Sequence, residues 1–259
     1  MDPKVLAGSF GQVADAYEQG RPRYPGEALD RLAAELGLDG DSTVIDLAAG
    51  TGKLTRDLSP RFGRVIAVEP LDEMLARLEE AVPDAEALAG SADAIPLPDT
   101  VADAVFVAQA FHWFATHPAL AEIARVIRPG GGLALLFNTS PWERGEGPWF
   151  QALHELLEER ADLAMAHRHM SGWWLEVFED DPHFGPPDSA WFSHEQRLPP
   201  AGFIASLASR SYVATLTEAE RAALFAEVAT LLERDDAPIS GGEMVIPLKT
   251  VAYWTRKRG

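Results

Sequence analysis

Short apolar runs alternate with helical segments over the first half of the chain, and this alternation constrains the fold more than any other feature. The apolar runs are TVIDL at 43–47, VIAVE at 65–69, ADAVFVA at 102–108 and LALLF at 133–137. Between them, apolar side chains recur every three or four positions in residues 54–62, 71–82 and 119–127. Nearly continuous apolar runs are typical of parallel strands that are buried on both faces. Strands that alternate with helices form right-handed βαβ units, so the sequence predicts a doubly wound α/β fold.

The segments that flank this alternation predict additional parts. Two helical patterns, at 10–17 and 27–36, precede the first predicted strand. They cannot belong to the first crossover of the sheet, so we interpret residues 1–40 as an N-terminal helical extension. The sheet-forming core then occupies residues 41–140.

Beyond the core, the character of the sequence changes twice. In residues 141–187 aromatic side chains cluster around a helical pattern at 153–165, which indicates a cap inserted after the last strand of the core. Residues 188–259 are expected to complete the sheet. Their patterns predict two strands and one amphipathic helix, at 190–198, 244–254 and 217–233. Pro247 interrupts the last strand pattern, and proline within a strand indicates a bulge or an edge.

The composition excludes several classes of partner. Asp and Glu total 40 against 22 Lys and Arg, which gives a net charge of −18. Such a charge repels phosphate backbones and anionic lipids, so nucleic acid and membrane surfaces are disfavoured as partners. The chain has no cysteine, which excludes disulfides and thiolate metal sites. Because residues 1–4 lead into no long apolar segment, we expect a cytoplasmic protein.

The histidines give no metal signature. His167 and His169 flank a single arginine, and His154 lies near Glu155 and Glu158. Neither spacing matches a metal-binding pattern. A solvated helix face explains the second group better, because polar residues three and four apart are neighbours on a helix surface. We therefore predict no metal site.

The strongest local signal is VIDLAAGTG at 44–52, a strand that enters a turn of small residues and then a helix. Gly50 and Gly52 let the backbone approach a ligand closely. A tight strand-to-helix turn also requires glycine for structural reasons alone, so the glycines are ambiguous. Asp46 lies at the carboxyl end of the strand, where it would repel the pyrophosphate of a dinucleotide and attract a cationic amino group.

The second predicted strand also ends in an acid, Glu69, which Pro70 follows. Its distance from the glycines suits a carboxylate that accepts both hydroxyl groups of a ribose. Asp46 and Glu69 together favour a nucleoside that carries an amino acid. The alternative is that Asp46 caps a loop and Glu69 is merely solvated, since carboxylates are common at helix starts.

Five segments, in their order and spacing, resemble the class I S-adenosylmethionine-dependent methyltransferases. They are VIDLAAGTG at 44–52, AVEP at 67–70 with Met74, GSADAIPLPD at 90–99, DAVFVAQAFHWF at 103–114 and RVIRPGG at 125–131. More narrowly, most of the chain is similar to the type 11 small-molecule methyltransferases near the trans-aconitate type. The resemblance implies a seven-stranded, mostly parallel Rossmann-like sheet, with an N-terminal helical lid and a helical cap insertion. RPRYP at 21–25 is similar to part of that lid.

The resemblance also implies a site for the methyl donor. The residues that it assigns to S-adenosylmethionine are Tyr17, Arg21, Asp46, Ala48, Gly50, Gly52, Glu69, Pro70, Met74, Ser91, Ala92, Asp93, Ala94, Ala108 and Gln109. Asp46 would orient the methionine part, Glu69 would hold the ribose, and Arg21 would meet the cofactor carboxylate. Met74 would pack on the adenine ring; a methionine at core spacing is alternatively a packing residue only.

Further positions carry expectations of their own. Asp93 and the Ala94 backbone would contact the adenine edge, and Ala108 and Gln109 would lie near the sulfonium. Most family members have three alternating glycines where this chain has Ala48 followed by Gly50 and Gly52. A methyl group at the first position is small enough to be tolerated.

Methyl transfer from a sulfonium is an in-line displacement, so the enzyme gains most by aligning the acceptor with the methyl group. A hydroxyl, phenol or enol acceptor must also lose a proton, whereas a carboxylate need not. The candidate base is His112, which follows the fourth apolar run and titrates near neutral pH. Alternatively, His112 fixes its loop by hydrogen bonding and Trp113 fills the interface with the cap.

The aromatic residues suggest the character of the acceptor. Aromatic walls with few cations favour a largely apolar small molecule. The candidate acceptor residues are Tyr24, Trp113, Trp142, Trp173, Trp174, Arg210 and Tyr212. Alternatively, the tryptophans form the core of the cap, and Arg210 pairs with one of the protein's own carboxylates.

Two other functions remain open. A nicotinamide-dependent oxidoreductase is disfavoured, because Thr55 occupies the position of the third glycine of the dinucleotide fingerprint and Asp46 opposes pyrophosphate. A protein that binds S-adenosylmethionine without transferring its methyl group is the second alternative.

Overall fold

The computed structural model describes residues 20–160 and 171–259. Its strands are β1 (Thr43–Leu47), β2 (Arg64–Glu69), β3 (Glu86–Ala89), β4 (Ala102–Ala108), β5 (Ile127–Thr139), β6 (Asp188–Leu198), β7 (Ile239–Ser240) and β8 (Glu243–Arg256). Its α-helices are α1 (Gly26–Leu36), α2 (Lys53–Leu58), α3 (Asp72–Ala81), α4 (His117–Val126), α5 (Pro148–Glu158), α6 (Pro200–Ala208), α7 (Ser211–Ala214) and α8 (Glu218–Leu232). Two 3-10 helices cover Phe111–Trp113 and Trp173–Phe178. The helix predicted at 10–17 lies outside the described residues.

The strands form one sheet in the order β3, β2, β1, β4, β5, β8 and β6, with β7 attached to β8. The pairs β1–β2, β1–β4, β2–β3 and β4–β5 are parallel. The strand order reverses between β1 and β4, which creates the switch point where α/β sheets open a crevice at their carboxyl ends. The doubly wound, mostly parallel sheet predicted from the sequence is confirmed.

The eighth strand, β7, is an addition to the expected seven. Ile239 and Ser240 pair antiparallel with Met244 and Glu243 of β8. The connecting residues Gly241 and Gly242 both have positive φ, at 62° and 84°. Two residues with positive φ are what a tight two-residue hairpin turn requires, and a Gly-Gly pair meets that requirement. The Gly-Gly pair is therefore the sequence signal that predicts this hairpin.

The described residues fall into two compact units. The first unit contains residues 23–138, 172–192 and 250–259. The second unit contains the described parts of 139–171 and 193–249, together with residues 20–22. The alternating strands and helices of residues 43–137 therefore lie within the first unit.

In the first unit, alternate residues of each central strand point to opposite faces of the sheet, as the pleat requires. On one face, Ile45, Val105 and Leu135 share a core with α4. On the other face, side chains of β1, β4 and β5 pack with α1 and α2 in a separate core. Apolar cover on both faces explains why these strands are nearly continuous apolar runs in the sequence.

The second unit has a core of its own, built by α5, α6, α8 and the first half of β8. Trp149 fixes α5 through its indole N–H, which donates to the Leu231 carbonyl at 2.7 Å. Helix α8 begins with a capping box in which Thr217 and Glu220 satisfy each other's backbone N–H groups. The helix predicted at 217–233 is therefore confirmed.

Two expectations in this part of the chain need correction. Helix α5 begins at Pro148, five residues before the predicted pattern, because Trp149 and Phe150 already face the core and proline suits the first turn of a helix. Strand β8 has a partner on each side, β5 and β6, so of the two alternatives for Pro247 the edge strand is wrong and the bulge stays a prediction. Within the described ranges, no helix combines the length and apolar character needed to cross a membrane.

Candidate active site

The turn after β1 is held in an unusual backbone conformation. Ala48, Gly50 and Gly52 have φ values of 58°, 59° and 82°, in the left-handed region that disfavours side chains with a Cβ. The Ala49 N–H donates to the Val68 carbonyl at 3.2 Å, which ties the turn to β2. Ala48 is thus a strained residue at the position where most family members have glycine.

The two glycines of the turn serve different purposes. A Cβ on Gly52 would lie 3.0 Å from the Leu78 side chain, so this glycine is also required for packing against α3. A Cβ on Gly50 would meet no atom within 4 Å. The purely structural explanation therefore accounts fully for Gly52, whereas the space beside Gly50 is left open.

Asp46 is almost completely buried, with 1% of its surface exposed. Its Oδ2 accepts a hydrogen bond of 2.6 Å from the Thr55 hydroxyl. Its Oδ1 has no hydrogen-bond partner among the described residues. The pKa of this carboxyl is raised from 3.8 to about 7, mainly by burial, and the charge of Glu69 contributes in the same direction. The capping role that the sequence left open thus applies to one oxygen only.

Glu69 is 4% exposed, so the alternative that it is merely solvated is wrong. Its Oε2 accepts from the Gly50 N–H at 2.8 Å, and its Oε1 accepts from the Leu71 N–H at 3.0 Å. Burial raises the pKa of this carboxyl as well. Each carboxylate oxygen has a second lone pair, so these bonds leave Glu69 able to accept from a ligand hydroxyl. The neighbouring Pro70 is exposed.

A third acid adds to the negative charge in this part of the first unit. Asp57 of α2 is 8% exposed and pairs with Arg23, whose side chain is largely in solvent. The charge of Asp57 also raises the pKa of Asp46. Three buried carboxylates, one of them paired with a largely exposed arginine, favour a cationic ligand near the carboxyl ends of β1 and β2.

The segment after β3 contains the residues expected beside the adenine. The Ser91 and Ala94 backbones bond to each other, Ala92 is buried and Asp93 is exposed. Met74 of α3 is 3% exposed, so the packing alternative fits its environment. The sequence did not single out Arg125, whose guanidinium donates to the carbonyls of residues 95 and 97 at 3.0 and 2.8 Å.

At the carboxyl end of β4, Gln109 has a φ of 57°. Its side-chain amide donates to the Asn138 carbonyl at 3.0 Å, which ties the ends of β4 and β5 together. Asn138 in turn accepts from the Thr250 hydroxyl and donates to the Arg23 carbonyl at 3.3 Å. Ala108, beside Gln109, is partly buried. Asn138 is the residue of this network that sequence reasoning missed, because its partners are distant along the chain.

His112 lies in a row of aromatic rings. Its ring centroid is 4.9 Å from that of Trp113 and 5.9 Å from that of Phe137. Phe137 contacts Trp174 at 5.1 Å, and Trp174 contacts Tyr253 at 5.0 Å. Two more of the predicted acceptor residues, Trp173 and Tyr24, are half-buried in the first unit. The row places His112 beside an apolar aromatic surface.

The remaining predicted residues belong to the second unit. Arg21 donates to the Ser209 hydroxyl at 3.3 Å and to its carbonyl at 3.2 Å. Arg210 pairs with Glu143 at 3.0 Å, as one alternative predicted, and its guanidinium lies 5.2 Å from the Trp142 ring centroid. Trp142 and Tyr212 are buried in the core of this unit.

Three residues that the sequence analysis named lie outside the described ranges. Tyr17 lies outside the described residues, as do His167 and His169. His154 Nε2 lies 3.7 Å from Glu158 Oε2 along α5, a surface pair four residues apart. No group of three metal-ligating side chains occurs within residues 20–160 and 171–259.

Comparisons with known proteins agree with this geometry. A methyltransferase domain family matches residues 45–135. An uncharacterized methyltransferase of Mycobacterium tuberculosis is 37% identical over 243 residues, which cover 94% of this chain and 93% of the relative. An uncharacterized methyltransferase-like protein of Schizosaccharomyces pombe is 33% identical over 247 residues, 95% of this chain and 93% of its own length.

A solved structure extends the comparison to the fold. A provisionally assigned type II methyltransferase from Anaeromyxobacter dehalogenans superposes with a TM-score of 0.68 at 25% identity, over 92% of this chain and 97% of the other. The chain belongs to the class I S-adenosylmethionine-dependent methyltransferases. This follows from the order of its strands, the acids at its strand ends and the relatives of nearly equal length. The chain is therefore a methyltransferase. The narrower likeness to the trans-aconitate type stays a prediction.

Proposed function

We propose that this enzyme transfers the methyl group of S-adenosylmethionine to a small, largely apolar organic acceptor through an oxygen, carboxylate or carbon nucleophile. One observation carries the cofactor part: the buried Oδ1 of Asp46 has no partner among the described residues. An unpaired buried acceptor costs about 1–3 kcal/mol, and more when it is charged. A cationic group on the ligand removes that cost.

The residues present fit the methyl donor. Its ammonium group suits Asp46, its ribose hydroxyls suit the remaining lone pairs of Glu69, and the open space beside Gly50 admits a ligand close to the backbone. When bound, S-adenosylmethionine supplies an electrophilic methyl group on a sulfonium. Asp46 and Glu69 bind and orient this donor, and the Gln109–Asn138 bond fixes the strand ends around which the acceptor is positioned.

The exposed end of the aromatic row, Trp113, supports an apolar acceptor, whereas the rings of Phe137 and Trp174 belong to the core of the first unit. Phe137 and Trp174 are nearly inaccessible to solvent, whereas Trp113 is 39% exposed. Rigid aromatic surfaces bind planar or apolar molecules with little loss of conformational entropy. Arg210, Tyr212 and Trp142 lie in the second unit, where Arg210 pairs with Glu143, and their role in acceptor binding stays a prediction.

His112 is the candidate general base. It lies in the 3-10 helix that follows β4, and ring contacts with Trp113 and Phe137 restrict its orientation. For a hydroxyl, phenol or enol acceptor, the H112Q variant is expected to lower kcat about 100-fold without changing the affinity for S-adenosylmethionine. A carboxylate acceptor requires no base, so its turnover is expected to tolerate H112Q. Equal losses with both kinds of acceptor contradict the base assignment.

Calorimetry tests the cofactor assignment. The purified protein is titrated with S-adenosylmethionine, S-adenosylhomocysteine and NAD in separate experiments. Heat with the first two ligands and none with NAD is expected. Heat with NAD alone favours an oxidoreductase and overturns the proposal. Binding followed by no S-adenosylhomocysteine formation across a panel of hydroxyl, carboxylate and enol acceptors favours the binding protein without methyl transfer.

A further inference from the structure

Thr55 is the one contact that distinguishes the two oxygens of Asp46 in the described structure. Its hydroxyl donates to Oδ2 at 2.6 Å, a short bond typical of a charged acceptor. The backbone N–H of Thr55 also hydrogen-bonds to Asp46. Oδ1 receives neither bond. Thr55 itself is completely buried, so water does not compete for its hydroxyl.

The position of Thr55 explains how it reaches Asp46. It is the third residue of α2, whose first turn has backbone N–H groups without intrahelical partners. Asp46, on the preceding strand, satisfies one of them. A hydroxyl has a single proton to donate, and in Thr55 that proton is committed to Asp46. Thr55 stands where a dinucleotide fingerprint has its third glycine, and its polar partner is Asp46 of β1.

We propose that Thr55 is a positioning residue for the methyl donor: by occupying Oδ2, it fixes the Asp46 carboxylate so that Oδ1 is reserved for the cationic group of the cofactor. This inference rests on the proposed function. It assigns to Thr55 a role that differs from capping, because a cap stabilises the helix whether or not a ligand is present.

The same contact affects the charge of Asp46. The Thr55 hydroxyl lowers the pKa of Asp46 against the opposing effects of burial and of the charges on Glu69 and Asp57, while Arg23 neutralises part of the Asp57 charge. Removing the hydroxyl therefore raises the pKa of Asp46. More of the protein then has a neutral Asp46 at pH 7, and a neutral carboxyl binds an ammonium group weakly.

Two variants separate these roles. T55V removes the hydroxyl and keeps the shape and the backbone N–H, whereas T55S keeps the hydroxyl. Calorimetry with S-adenosylmethionine is carried out for the wild type and both variants between pH 6 and pH 9. We expect T55V to bind roughly tenfold more weakly at pH 7 and its low-pH loss of affinity to begin about one pH unit higher. T55S is expected to bind within about threefold of the wild type.

The measurement at pH 9 isolates positioning from charge. Asp46 is ionised there in every variant, so a weaker affinity of T55V at pH 9 reports the loss of orientation. Wild-type affinity and an unchanged pH profile in T55V overturn the role of Thr55, even if T55V is less stable. If T55V does not fold, T55A is measured in the same way. Absence of binding by the wild type instead overturns the proposed function itself.

Discussion

Two buried aspartates of the first unit, Asp181 and Asp46, lie in different regions and have opposite hydrogen-bond environments. Asp181, in the loop after the second 3-10 helix, is 0% exposed. Its Oδ1 accepts from the backbone N–H groups of His183 and Phe184 at 2.9 Å, and its Oδ2 lies 3.2 Å from His117 Nδ1. Asp46, near the carboxyl end of β1, leaves one oxygen without a partner among the described residues.

The hydrogen-bond partners of the two carboxylates separate an acid that stabilises its own loop from an acid that is able to bind a ligand. A buried carboxylate whose oxygens are both bonded stabilises its own loop. A buried carboxylate with a free oxygen destabilises the ligand-free fold and gains when a cation arrives. Burial alone therefore does not distinguish Asp46 from Asp181, since both are buried; the unpartnered Oδ1 of Asp46 does.

The largest expected effect comes from neutralising Asp46. D46N keeps the shape of the side chain and an oxygen that can accept from Thr55, but it removes the charge that attracts the donor. We expect the affinity for S-adenosylmethionine to fall about 100-fold or more, since loss of a buried charge partner costs about 2–5 kcal/mol. Calorimetry measures the effect. An affinity within threefold of the wild type would remove the contrast between the two aspartates.

The matched change at Asp181 is expected to act on stability. D181A leaves two backbone N–H groups without their acceptor, which lowers the free energy of unfolding by about 2–3 kcal/mol. Urea denaturation measures this loss. The folded fraction should bind S-adenosylmethionine with wild-type affinity, because the hydrogen-bond partners of the Asp181 side chain are His117, His183 and Phe184. Weakened binding of S-adenosylmethionine by folded D181A would contradict the purely structural role of Asp181.

The free energy of unfolding is expected to depend on pH through Asp46. The pKa of Asp46 rises from 3.8 in the unfolded chain to about 7 in the fold, so the fold favours the protonated carboxyl. Its stabilising contribution is complete below pH 4 and is lost as the pH rises through 7. Ligand-free D46N is therefore expected to exceed the wild type in unfolding free energy by about 1–2 kcal/mol at pH 8.

The control for this effect is the same pair of proteins at pH 4, where the difference should nearly vanish. Saturating S-adenosylmethionine should reverse the order at pH 8, because it stabilises only the protein that binds it. Denaturation curves at both pH values provide the data. An equal difference at pH 4 and pH 8 shows that Asp46 does not titrate between them.

The smallest expected effect concerns the strained turn itself. Ala48 has positive φ, so A48G relieves strain and is expected to raise the free energy of unfolding by about 0.5 kcal/mol. A49G is the matched control, because Ala49 lies in the same turn without positive φ. It should lower stability by about 0.5–1 kcal/mol. Thermal unfolding of both variants decides whether the strain at Ala48 is real.

Much of the fold followed from local patterns. The strands at 43–47 and 102–108 were predicted with their observed bounds, because a run buried on both faces is apolar at every position. Helix α8 was predicted from its periodicity, and its capping box is a finding of the structure. The hairpin of β7 and β8 was missed, although its Gly-Gly turn is a local signal.

The candidate site divides in the same way. Asp46 and Glu69 stand at strand ends, so their position was predictable from the strand pattern. The roles of Thr55 and Asn138 were not, because each depends on a partner that only folding brings near. The aromatic residues at 141–187 do not form one cluster, although they are close in sequence. Trp142 and Trp174 lie in the cores of different units.

The sequence by itself determined the class of fold, the acidic strand ends and the resemblance to a methyltransferase, because strand burial and the glycine turn leave local residue patterns. The tertiary structure was needed to show which oxygen of Asp46 is hydrogen-bonded and which glycine has open space beside it. It also showed which tryptophans are buried in a core. Hydrogen-bond geometry and burial arise from contacts between distant segments, and no local pattern encodes them.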